Sequence, residues 1–151
     1  MKTQVTKRFA SLICALFVCV GTVVTAGAVS IDGYATTRAS DYLNYYSAYA
    51  LASSNGKVII EFEVDGAGRM DLVGSNYIVV QEKSGSKWLG VSTYWGSSLN
   101  EMLGENTVSH IGKITYVGTV GREYRALVTV YAKDSTGDDS RTIITNSVTA
   151  K

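Results

Sequence analysis

The sequence predicts an all-β sandwich of about seven strands. Short runs rich in Tyr, Val, Ile and Thr recur along residues 41–151, separated by glycine, asparagine and serine turns. KVIIEFEVD (57–65) alternates strictly: Val58, Ile60, Phe62 and Val64 share one parity, and Ile59, Glu61, Glu63 and Asp65 the other. That period of two marks a strand with one wet face. GREYRALVTVYAKD (121–134) places Tyr124, Ala126, Val128, Val130 and Ala132 on one parity in the same way.

The elements follow in order. Residues 1–8 carry Lys2, Lys7 and Arg8, and an uncharged run FASLICALFVCVGTVV precedes Ala26-Gly27-Ala28. This is the pattern of a signal peptide cut after Ala28, with Ala26 as a second cut. The rival is an uncut membrane anchor, since residues 9–31 hold no charge. Residues 29–40 read as a flexible lead-in to one domain over 41–151. YLNYYSAYALA (42–52) reads as a strand, because four tyrosines favour sheet and Asn55-Gly56 follows as a hairpin turn. Residues 57–65 form the next strand, and the glycine-rich residues 66–74 a connection. NYIVVQEK and KWLGVSTYW flank Ser84-Gly85-Ser86 as a hairpin. Residues 96–107 read as a loop and 108–120 as a glycine-rich strand. The strand 121–134, a loop at 135–139 and a last strand from Ser140 to the end complete the set.

Val120-Gly121-Arg122-Glu123-Tyr124, followed by alternation, resembles the tyrosine corner of immunoglobulin-like sandwiches. There a tyrosine opens the penultimate strand and its hydroxyl bonds the backbone just upstream. The fibronectin type III version is the most similar, although Val120 stands in place of its proline and Gly118 in place of a core leucine. The resemblance implies a structural role for Tyr124 and Gly121. Across nearly all of residues 29–151, the order SDYLNYYSAY, NGKVIIEFEVDGAGRMDLVGSNYIVVQEKSGSKW, a block MLG…H…G.ITY.G..G..Y and a final TNSVTA resembles a family of small secreted proteins of Gram-positive, clostridia-type bacteria. That family carries a domain of unknown function. The resemblance implies secretion and one domain, and no activity or site.

Both cysteines, Cys14 and Cys19, fall inside the signal, so the mature chain has no disulfide, thiolate metal site or cysteine nucleophile. Cleavage removes three of the 14 Lys and Arg, leaving 11 against 13 Asp and Glu. Without a basic stripe, no nucleic-acid partner is expected. Contact with a membrane is expected only through an uncut signal.

Chemistry is sparse. His110 is the single histidine, with no nucleophile motif to serve, and reads as structural. Asp134, Asp138 and Asp139 are candidate calcium ligands, against the plainer reading of a solvated turn. Glu61 and Glu63 share a strand face and point the same way, unlike a glycosidase pair. Ten tyrosines and two tryptophans suggest half-wet surface. Trp95, beside Gly96, and Tyr45 and Tyr49 on the first strand are the expected contact residues. Trp88 and Tyr94 share a parity expected to face the core. The expectation is a secreted, non-catalytic binding module without cofactor, its partner a cell-wall polysaccharide or an extracellular protein. The alternative is a small secreted effector, bacteriocin-like or self-assembling.

Overall fold

Asn55-Gly56 makes the first turn, with both residues at positive φ (60° and 73°) as a type I′ hairpin requires. The computed structural model describes residues 40–151. The expected signal and most of the expected lead-in lie outside the described residues. The fold is all-β: β1 (Leu43–Ala52), β2 (Lys57–Ser84), β3 (Lys87–Trp95), a 3-10 turn (Ser98–Asn100), β4 (Leu103–Val117), β5 (Glu123–Lys133), β6 (Asp138–Ile144) and β7 (Val148–Thr149). All strand pairings among the described residues are antiparallel.

Two layers arise because β2 bends. Its first half pairs β1 on one side and the later part of β4 on the other, as in Tyr49–Glu61–Lys113. Its second half pairs β5 on one side, and on the other the opening of β4 and then β3. β6 and β7 both pair β5. β1, the first half of β2 and the later part of β4 thus make a three-stranded layer. β3, the second half of β2, β5 and β6 make a four-stranded one, the division of an immunoglobulin-type sandwich. Hydrogen bonding still runs through all seven strands as one sheet, since β2 belongs to both layers.

The core lies between the layers. Val58, Ile60, Phe62 and Val64 of β2 and Tyr46, Ala48 and Ala50 of β1 face Ile78 and Val80 of the far half of β2 and Tyr124, Ala126, Val128, Val130 and Ala132 of β5, all buried. Burying each larger aliphatic or aromatic side chain contributes about 1.5–3 kcal/mol. The alternation seen in residues 57–65 and 121–134 is the alternation of this core.

Seven strands are expected and seven are found among the described residues, but several boundaries differ. Residues 66–74 are strand rather than connection, because Leu72, Val73 and Gly74 are paired on both sides, by β4 and by β5. The expected loop at 96–107 holds the 3-10 turn and the first residues of β4. The last strand is two. Thr145 and Asn146 interrupt it, with Thr145 Oγ1 accepting from Ala126 N–H at 2.9 Å and its own N–H donating to Ala126 O at 3.0 Å.

The corner before β5 closes on Tyr124. Its ring is fully buried, and its hydroxyl accepts from Thr119 N–H at 2.9 Å and donates to Glu82 at 2.7 Å. Gly118 packs flat against that ring, where a Cβ would come within 2.6 Å of it. The small residue at 118 thus makes room for the tyrosine. Gly121, at φ 87°, donates its N–H to Ala150 O.

Candidate functional site

In a regular strand, residues seven apart point to opposite faces. Trp88 and Trp95 do not, because β3 carries a bulge. Val80 stands opposite Ser92 and Gln81 opposite Gly90, so Val91 is the extra residue. Trp95 therefore faces Tyr77, and Trp88 faces Lys83. Both partners belong to the outward parity of β2, since Ile78 and Val80 between them are buried. The expectation that Trp88 shares the core with Tyr94 is corrected by that one residue. Tyr94, opposite Ile78, packs against the core, while Trp88 lies outside and half-buried.

The outer face of the four-stranded layer follows from the register. Trp95, Tyr77, Thr129 and Thr142 form one row, and Thr93, Val79, Leu127 and Ile144 the next. The Trp95 and Tyr77 rings meet at 4.5 Å between centroids, and Trp95 is still 72 % exposed. At the other end the Arg125 guanidinium lies 4.3 Å from the Trp88 ring centroid and donates to Gln81 at 2.9 Å. Lys83 pairs with Glu123 at 2.7 Å, and that bond holds the Glu123 carboxyl below its ordinary value. The face thus has an aromatic pair at one end, an apolar middle and a cation-stacked tryptophan at the other. Trp, Tyr and Arg are the residue types that concentrate binding energy.

The expected contact residues are not brought together. Trp95 sits on β3, the edge of the four-stranded layer. Tyr45 and Tyr49 sit on β1, the edge of the three-stranded one, opposite Asp65 and Glu61. The Tyr49 hydroxyl donates to Glu61, and that bond raises the phenol above its ordinary value. Tyr77, Trp88 and Arg125 were missed in the sequence. Parity alone carries the signal for Tyr77 and Arg125, but the bulge conceals Trp88.

His110, Asp134 and Asp139 are occupied by protein partners. His110 hydrogen-bonds the Glu101 carbonyl through Nε2 at 2.8 Å and lies 6.2 Å from the Phe62 ring. Asp134 accepts from the Thr136 hydroxyl and N–H, both at 2.6 Å, which lowers its pKa. Asp139 accepts from Ser40 at 2.7 Å and from Arg141, and its pKa is lowered, chiefly by the Ser40 bond. Asp138 opens β6 opposite Lys133. Among the described residues, no three His, Cys, Asp or Glu side chains converge to hold a metal ion. Glu61 and Glu63 lie on the outer side of β2, facing Tyr49 and Ser47.

No protein-family model, curated protein or solved structure matches the chain.

Proposed function

We propose that this chain is a secreted, non-catalytic binding module that engages a cell-wall glycan or an extracellular protein through the outer face of its four-stranded layer. The convergence of both tryptophans on that face, with Trp95 72 % exposed, carries the proposal. An exposed indole beside a tyrosine offers a stacking surface for a sugar ring and a hot spot for a protein. The resemblance to small secreted clostridia-type proteins agrees with an extracellular partner. Trp95 and Tyr77 are the proposed contact pair, while Tyr45 and Tyr49 belong to a different surface.

The test is retention of the purified chain on insoluble cell-wall material, before and after that material is stripped of protein. Trp95→Ala is expected to weaken retention by about tenfold or more at an unchanged thermal midpoint. Competition by soluble sugar identifies a glycan, and loss of retention on stripped material identifies a protein. An unretained wild-type chain in both arms sinks the proposal.

A further inference from the structure

The two layers present four outer edges, and three of them are guarded. β3 is bulged at Val91, and β6 is short and carries Asp138, Asp139 and Arg141. On β1 the Asn146 amide stands in for a neighbouring strand: Ala50 N–H donates to Asn146 Oδ1 at 2.9 Å and Ala50 O accepts from Nδ2 at 3.0 Å. β4 is long, 15 residues, and among the described strands pairs only β2.

The Asn146 contact also fixes which groups of β4 are open. Ala50 turns its N–H and C=O away from β2, so its partner Ile60 turns its own toward Ile114 of β4. Alternation then directs the N–H and C=O of Ile111, Lys113 and Thr115 to the free side. The Thr115 carbonyl, accepting from the Tyr94 hydroxyl at 3.3 Å, agrees with that parity. Among the described residues, the free-side groups of Ile111 and Lys113 have no hydrogen-bond partner.

A recess of about 300 Å³ opens at this point, lined by Glu61, Glu101, Ile111, Gly112 and Lys113. Ile111 is 71 % exposed. Among the described residues, neither glutamate is paired with a cation, and Glu61 accepts only from Tyr49. Counting Glu63, the next outward residue on β2, three carboxylates stand against Lys113 alone, so the rim is negative.

We propose that the β4 edge at Ile111 and Lys113 is a docking site for an extended, basic strand of a partner protein. Main-chain bonds to Ile111 and Lys113 would add it to the three-stranded layer, as in β-strand addition. A Lys or Arg side chain would lay its aliphatic stem on Ile111 and place its charge near Glu61 and Glu101. The site is separate from the tryptophan face, and neither proposal depends on the other.

The test measures fluorescence anisotropy of a labelled peptide alternating Thr and Lys, titrated with the purified chain. The peptide is expected to bind, and its Thr-Glu counterpart to bind about tenfold more weakly or worse. N-methylation of alternate amides, made in both phases, should cost about tenfold in the phase that faces β4. Ile111→Pro should cost the same, and it should fold, because the Ile111 N–H serves no bond to β2. Three results overturn the proposal: no anisotropy change up to about 1 mM chain, equal binding by both methylated peptides and the parent, or equal binding of the acidic peptide. The methylated peptides keep the test decisive if the proline variant does not fold.

Discussion

Tyr124 concentrates three separate demands in one side chain. Its ring fills core volume, its hydroxyl satisfies the Thr119 N–H, and the same hydroxyl donates to Glu82, 42 residues away. Tyr124→Phe keeps the ring and removes both bonds. It is expected to cost about 1–3 kcal/mol, because two part-buried hydrogen bonds are lost, one of them to a carboxylate. Urea unfolding should show a lower midpoint at an unchanged slope; an unchanged midpoint would mean that water replaces the hydroxyl. Tyr124 was legible in the sequence because a tyrosine after glycine opened an alternating run. Glu82 was not, since nothing local marks a partner that far along the chain. Gly118 was legible only as an anomaly, and the flat approach of the Tyr124 ring explains it. Trp88 was misplaced because a single extra residue, Val91, reverses parity between it and Trp95.

At the scale of elements, edges decide what a strand can do. β1 has ten residues, LNYYSAYALA, with no charge and no proline, a composition that invites another strand. Asn146, in the break between β6 and β7, covers both main-chain groups of Ala50 on that edge. Asn146→Ala is expected to cost about 1–3 kcal/mol of stability. It should also make the chain associate in a concentration-dependent way. Denaturation and sedimentation check the two parts; a variant that is destabilised but stays monomeric at all concentrations would show that covering Ala50 does not guard the edge. Hairpin turns and alternating strands were read correctly because their signals are local. The middle of β2 was not, since Gly66, Gly68 and Gly74 read as a connection. Pairing on both sides by β4 and β5 overrides that weak preference. The break at Thr145–Asn146 was hidden for the opposite reason, as these polar side chains replace strand pairing with bonds to Ala126 and Ala50.

At the scale of the molecule, β2 makes the two layers one folding unit. Its first half supplies the centre of the three-stranded layer, its second half pairs both β3 and β5, and β4 follows it across the bend. Neither layer can lose its central strand without taking core residues from the other. Small domains with one shared core unfold in a single transition. The chain is therefore expected to unfold as one unit, although its contacts are largely non-local and its refolding correspondingly slow, on the order of milliseconds to seconds. The tryptophans supply the discriminating probe, since both sit on the four-stranded layer and report its loss alone. Far-ultraviolet circular dichroism reports strands of both layers. The two signals should trace the same urea transition with the same midpoint and slope. A fluorescence transition that precedes or trails the dichroism would mean that the layers separate before they melt, and that β2 serves as a hinge instead of a shared strand.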